Sequence, residues 1–237
     1  NKNFFLTTPY LMENENFKIS WNTFKQYLVI AKKKIMKNLI YNIDFSKKII
    51  LELGCGTRKR IIGSIGIDAI EYDEVDIVGD VLDVLSHFPA NSVDMVHSHH
   101  FIAHLDDLKP LMLELERVLK IGGKMEMIAP HFSNPYYYSD PTHKIFLGLY
   151  TFCYFTECKL FTKTVPVYGH DLKFKLTNVD LIFKSPRPFY FRYAFKRVFG
   201  YLFNLNSYLK EFYEENLVYL ISCYEVKYYF ERINSEQ

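Results

Sequence analysis

Apolar residues recur at helical spacing through residues 22–41. Phe24, Tyr27, Leu28, Ala31, Ile35 and Leu39 form one stripe, with Lys32, Lys33, Lys34 and Lys37 mostly off it. This pattern predicts an amphipathic helix. After Asn42 the period changes. Residues 48–53, Lys-Ile-Ile-Leu-Glu-Leu, form a short β-branched run that stops at Gly54-Cys55-Gly56, as a buried parallel strand ending in a tight loop should. Residues 66–68, 75–80, 93–98 and 124–129 repeat the pattern of a short apolar run followed by a polar residue, which predicts four more parallel strands. Between the last two, Leu108, Leu111, Met112, Leu115, Val118 and Leu119 share a helical face over residues 106–119. Asp106 or Asp107 can cap that helix and Gly122-Gly123 can stop it.

Strand, helix and strand joined by short loops demand right-handed crossovers in an open sheet. The second half supplies two further strands, Phe174 to Phe183 and Tyr224 to Ile233, with a helical insertion from Ser185 to Asn216 between them. The expected fold class is therefore α/β, a doubly wound, mostly parallel seven-stranded sheet with an aromatic-rich helical insertion. One domain is expected over 1–237: an N-terminal helical segment (1–45), a ligand-binding core (46–144), and a substrate or lid region with the last strands (145–237). Ligands of such sheets bind at the carboxyl ends of the strands, where the polar residues fall.

Composition narrows the partners. The chain has 237 residues, 49% of them hydrophobic, and a formal charge of only +2, so it is globular and carries no global field for nucleic acid. Cys55, Cys153, Cys158 and Cys223 are irregularly spaced without C-x-x-C, which argues against a disulfide framework and a zinc knuckle and favours a reducing cytoplasm. The opening Asn-Lys-Asn-Phe-Phe-Leu does not read as a secretory signal. Uncharged runs such as Ile145 to Thr156 fall short of the roughly 20 apolar residues of a membrane span. Aromatic residues reach 17%, with 19 Tyr and 21 Phe crowded into the second half.

The chemistry begins at Glu52-Leu53-Gly54-Cys55-Gly56, a strand end whose loop presents main chain to a ligand. Asp68 closes the second strand and Asp80 the third. A carboxylate after strand two can accept two hydrogen bonds from a pair of ribose hydroxyls. With Val118-Leu119-Lys120-Ile121-Gly122-Gly123 before the fifth strand, these motifs resemble the class I S-adenosylmethionine-dependent methyltransferases over roughly residues 48–144. The resemblance implies a Rossmann-like fold, S-adenosyl-L-methionine as cofactor and S-adenosyl-L-homocysteine as product. It implies cofactor contacts from Glu52, Gly54, Cys55, Gly56, Asp68, Ala69, Asp80, Val81, Ser98 and His99. The third glycine of the family's G-x-G-x-G is Arg58 here. Only eleven residues separate Gly56 from Asp68, so the first crossover helix must be short or absent, which disfavours a nicotinamide enzyme. Residues 130–135 (Pro-His-Phe-Ser-Asn-Pro) and 140–144 (Asp-Pro-Thr-His-Lys) are similar to a subgroup of bacterial surface-polysaccharide methyltransferases of capsule and O-antigen gene clusters.

If the acceptor is a hydroxyl, its proton must leave, and a neutral histidine is the natural base. His131, just past the fifth strand, is the expected base, with His143 and Asp140 as its partner or as substrate contacts. Arg58, Tyr136, Tyr137 and Lys144 complete the expected substrate site. The alternatives are a solvated basic loop for Arg58, pocket closure for the tyrosines and a backbone-satisfied loop for the histidines. His97, His99, His100 and His104 form a second cluster. His100 and His104 have metal-ligand spacing on a helix, but no carboxylate lies within that cluster, and no metal is expected. Arg187, Arg192, Lys196 and Arg197, interleaved with Phe189, Phe191, Phe195, Phe199 and Phe203, suit a lid, a homodimer surface or an interfacial membrane helix. The leading expectation is O-methylation of a small polar acceptor. That acceptor would be a sugar hydroxyl or a phosphate- or phosphoramidate-bearing, nucleotide-linked precursor of a surface glycan. N-methylation of an amino sugar and a non-catalytic binding module are the alternatives.

Overall fold

The computed structural model describes residues 23, 25–29, 40, 42–168, 172–185 and 188–234. Residues 1–42 and 43–237 form two compact units. In the first, Thr23, residues 25–29 and Ile40 are helical; most of the amphipathic stripe expected there lies outside the described residues.

The second unit is built on one seven-stranded sheet. Its strands are β1 (Ile50–Leu53), β2 (Ile65–Asp68), β3 (Ile77–Val78), β4 (Val93–His99), β5 (Leu119–Pro130), β6 (Phe174–Ile182) and β7 (Glu225–Arg232), in the order β3-β2-β1-β4-β5-β7-β6. β1 to β5 pair in parallel, whereas β7 runs antiparallel to both β5 and β6. Leu51, Leu53, Val96 and Met127 are buried, as expected for central strands covered on both faces. The helices are α1 (Val81–Ser86), α2 (Lys109–Val118), α3 (Tyr190–Phe203) and α4 (Ser207–Asn216). Arg117 of α2 donates to the carbonyls of Leu85 and Phe88 at 2.7 Å each, so the end of α1 is capped from its neighbour.

Two expectations are corrected. Gly122-Gly123 does not stop α2, which ends at Val118 where Leu119 turns extended. The glycines lie inside β5, where the register against β4 shifts between Val93 and Met95. Gly122 has φ +76°, a left-handed backbone that suits glycine in such a bulge. Nor does either aspartate act as the α2 cap residue, which is Leu108; Asp107 accepts only from the amide of Lys109, at 2.9 Å.

The aromatic second half divides. Phe152 packs edge-on against Tyr228 and Phe230, at 4.6 and 5.0 Å, and the buried Tyr228 hydroxyl donates to the Gly148 carbonyl at 2.7 Å. α3, in contrast, buries only Phe203 and leaves Phe191, Phe195 and Tyr201 exposed. Arg192 lies over the Phe189 ring at 4.3 Å, and Arg187 lies outside the described residues.

No helix joins β1 to β2: residues 54–64 form turns and bends, as the eleven-residue spacing required. A buried carboxylate takes the helix's place. Glu52 accepts from the amides of Arg60 (2.9 Å to both oxygens) and Ile61 (3.1 Å), and from the Ser64 hydroxyl (3.2 Å). Charge-assisted bonds of this kind are the strong ones. Glu52→Ala should therefore cost about 2–4 kcal/mol in urea unfolding, because several loop donors lose their acceptor at once. A cost below about 0.5 kcal/mol would show that the loop is held by something else.

Candidate active site

The loop after β1 forms one wall of an open cleft of about 530 Å³, lined by residues 54–60 together with His99 and His100. Gly54 has φ +64°, and a side chain there would meet Phe101 at 2.5 Å. Gly56 has φ +59°, with open space where a Cβ would stand. The Gly56 amide donates to Asp68 Oδ2 at 2.8 Å, and Asp68 Oδ1 accepts from Ile70 at 2.9 Å. Asp68 thus ties the glycine loop to the end of β2. Cys55 is buried, and burial, then Asp68 and Glu52, push its thiol up to about 11. It stays a neutral thiol. Lys59 is held by Asp76 at 2.8 Å, which leaves Arg58 and Arg60 as the exposed cations of the rim.

The opposite wall carries a histidine pair. His99 and His100 stack with centroids 4.1 Å apart. His100 has φ +59°, a left-handed conformation unusual for a non-glycine residue. Its Nε2 lies 3.0 Å from Glu225 Oε1, and Lys184 Nζ donates to Glu225 Oε2 at 2.7 Å. Burial works against ionisation of Glu225, but hydrogen bonds from His100 and Lys184 outweigh it and hold the carboxyl at about 2. Because a carboxylate only accepts, His100 Nε2 carries a proton, and in the neutral ring the lone pair sits on Nδ1. Burial, aided by His100 and Arg60, holds His99 down at about 4. Lys184 also lines a second groove of about 560 Å³, with Tyr136, Arg192, Lys196 and Tyr224. A hollow of about 600 Å³ lies instead by Phe174, at the opposite edge of the sheet from the β1 to β5 strand ends.

Residues 31–127 match the family described as the methyltransferase domain. Over these residues the chain carries a methyltransferase domain. It is distantly similar to a methyltransferase structure from Archaeoglobus fulgidus (19% identity, TM-score 0.49, covering 87% of this chain and 94% of that one). It is also similar to phosphoethanolamine N-methyltransferase 2 from Haemonchus contortus (17%, TM-score 0.48, 90% and 53%). A third likeness is to geranyl diphosphate C-methyltransferase from Streptomyces coelicolor (15%, TM-score 0.41, 92% and 86%). No curated protein matches the chain in sequence. Among the described residues, no helix is long and apolar enough to cross a membrane.

In this methyltransferase the cofactor residues expected from sequence fall into two groups. Gly54, Cys55, Gly56 and His99 line the cleft. Ser98 stands beside Leu53 at the strand ends, and its hydroxyl is buried without a partner. That orphaned hydroxyl and the open face of Gly56 fit a polar ligand lying along the loop. Asp68 joins them through Gly56, and Ala69 is exposed next to it. Glu52, Asp80 and Val81 have other tasks. Glu52 is fully engaged beneath the loop; Asp80 caps α1, accepting from Leu82 and Asp83 at 3.0 and 3.2 Å; and Val81 is buried.

His131 needs correction as a base. It is fully buried and both ring nitrogens are engaged. Nδ1 accepts from the Ser133 amide at 3.2 Å, and Nε2 lies 3.1 Å from Glu214 Oε2. A base must reach the proton it removes, and this ring instead stitches the loop after β5 to α4. Tyr137 is likewise buried, stacked on His143 at 4.7 Å, and so cannot offer a flat face to substrate. Lys144 pairs with Asp106 at 2.7 Å. Tyr136 is exposed in the second groove, and Arg58 stays on the cleft.

His143 does not meet His131. It sits with Asp140, 3.7 Å from its carboxylate, and with His104, whose ring centroid is 4.8 Å away. The histidine cluster of the sequence is therefore split: His97 is buried between Glu52 and Glu126, His99 and His100 face the cleft, and His104 joins His143. His100 and His104 share no helix face, because the short 3-10 turn begins at Ile102. Sequence reasoning missed Glu225 and Lys184. Glu225 lies 125 residues from His100, and no local pattern links them.

His99 is harder to protonate folded than unfolded, since its ordinary value is 6.5 and its folded value about 4. Its contribution to stability is full above pH 6.5 and is lost as pH falls toward 4. The stability difference between wild type and His99→Gln, from urea midpoints, should narrow across that window and then level. A flat difference from pH 7 to 4 would contradict the assignment.

Proposed function

We propose that this methyltransferase transfers its methyl group to a hydroxyl oxygen on a small, polar, anionic acceptor, a sugar or a phosphate-bearing precursor. The motif resemblance favours the synthesis of a bacterial surface glycan as its setting. The observation that carries the reading is His100. It is 36% exposed on the cleft wall and is bonded to Glu225 through one ring nitrogen, leaving the other free to take a proton. This is the arrangement of a general base oriented by a carboxylate.

S-adenosylmethionine, when bound, supplies a sulfonium methyl as the electrophile. Gly54, Gly56, Asp68, Ser98 and His99 would hold it along the loop and strand ends. Glu225, at the junction of the cleft and the second groove, fixes the His100 ring and balances Lys184. Lys184, Arg192 and Tyr136 give the second groove a cationic and aromatic lining suited to an anionic sugar. Methyl transfer is an in-line displacement, so most of the catalytic gain comes from holding the acceptor in place. His100 then accepts the hydroxyl proton on Nδ1 while Nε2 remains on Glu225. N-methylation of an amino sugar is the second reading, because an amine can lose its proton to solvent.

S-adenosylhomocysteine at about 100 times its dissociation constant should stabilise the protein by roughly 2.7 kcal/mol, and NAD should not. Thermal unfolding measures this, and no rise at saturation would remove the cofactor assignment. Screening sugar phosphates and nucleotide sugars by S-adenosylhomocysteine release then identifies the acceptor. With that acceptor, His100→Ala should lower kcat by about 10²–10⁴-fold while S-adenosylhomocysteine binding stays near wild type. Near-normal turnover would sink the base mechanism and favour an amine.

A further inference from the structure

We propose that His104, Asp140 and His143 form a binding site for one divalent transition-metal ion of the zinc class, independent of the methyl-transfer reading. The three side chains each bring a ligand atom within 4.8 Å of the others. His104 comes from the short 3-10 turn after β4, while Asp140 and His143 come from the loop after β5. The two segments are tied by the amides of Lys144 and Ile145, which donate to the Ala103 carbonyl at 2.8 and 3.3 Å.

The surrounding hydrogen bonds orient all three groups. His143 Nδ1 lies 2.9 Å from the Tyr137 carbonyl. A carbonyl only accepts, so the proton is on Nδ1, and the neutral ring turns a bare Nε2 toward Asp140 Oδ2, 3.7 Å away. The Thr142 hydroxyl donates to Asp140 Oδ1 at 2.5 Å and meets His104 Nδ1 at 2.9 Å. Its one proton is already given to Asp140, so His104 must donate from Nδ1, which leaves its Nε2 bare as well. Metal-ligating histidines are held in this way, with the second nitrogen given to a carbonyl or another polar neighbour. The Nε2 to Oδ2 separation is too long for a hydrogen bond, and two lone pairs facing one another call for a cation between them.

Among the described residues, no lysine or arginine supplies that cation. Lys144, the nearest in sequence, is spent on Asp106. The other cluster with a comparable ligand set, His99, His100 and Glu225, differs on this point, since Lys184 already neutralises Glu225 at 2.7 Å. Two nitrogens and one oxygen favour zinc and its neighbours over calcium or magnesium, which take oxygen. Zinc bonds of about 2.0–2.1 Å require the ligands to draw together. Asp140, with 42% of its side chain exposed, has room to do so. Three protein ligands leave a fourth position open to water or to an anionic group.

The test uses the full chain stripped with a chelator, then titrated with Zn²⁺ against a chromogenic competitor and, separately, with Co²⁺ followed by its visible absorption. One equivalent should bind. Asp140→Asn and His143→Ala should each weaken Zn²⁺ by about 100-fold or more, and Thr142→Val by about 10-fold as an orienting residue. His100→Ala should bind as wild type does. Circular dichroism checks each fold, and the wild-type Co²⁺ spectrum needs no variant. No stoichiometric Zn²⁺ binding at micromolar concentration would overturn the proposal. So would wild-type affinity in Asp140→Asn, or loss of affinity in His100→Ala.

Discussion

The site depends first on a buried carboxylate. Glu52 lies within the buried run of β1 and gathers the amides of Arg60 and Ile61 and the Ser64 hydroxyl, so the chain can return to β2 without a crossover helix. Without that helix, the loop from Gly54 to Arg60 cannot be positioned by a helix N-terminus, and side chains must hold it. Asp68 takes the Gly56 amide and Asp76 takes the Gly66 amide at 2.7 Å. Asp94 does the same for Ile49 at 2.8 Å. The acids of these first strands therefore serve the backbone before they serve a ligand. Each is worth more than a neutral acceptor would be, because the bond is charge-assisted.

Distant carboxylates then decide what each histidine can do. Glu214 on α4 captures His131 Nε2, and with the Ser133 amide on Nδ1 no nitrogen is left free. Glu225 captures His100 through one nitrogen only, and the exposed ring keeps the other. Asp140 lies close to His143 without bonding it. The same residue type thus becomes a structural stitch, a candidate base and a candidate metal ligand according to how its nitrogens are already committed.

This explains what was legible in the sequence. The strands and the helical insertion were readable because hydrophobic periodicity is a local signal, and β6 at Phe174–Ile182 falls within the run that predicted it. The glycine loop and Asp68 were readable because their spacing is local too. His131 misled because its position after the fifth strand suits a base, while the group that occupies it, Glu214, lies 83 residues away. Asp80 misled for a different reason. The same strand-end position that suits a ligand contact also suits a helix cap, and a short polar side chain serves either. Tyr136, Tyr137 and Tyr138 look alike in sequence, yet burial separates the middle one from its neighbours.

Topology delivers the remaining part. β7 is inserted antiparallel between β5 and β6, so its first residue, Glu225, lies opposite Pro130, the last residue of β5. A parallel strand there would have carried its first residue to the far edge of the sheet. Reversal is what brings a late carboxylate to the ends of the early strands, beside His100 and Lys184. The helices α3 and α4 precede β7 in the chain, so the insertion that holds Glu214 and Arg192 also ends at this edge. The second half of the chain therefore completes a cleft begun by the first. A variant that weakens β7, at Tyr228 or Phe230 for example, would be expected to disturb the Glu225 to His100 contact without touching any residue of the glycine loop.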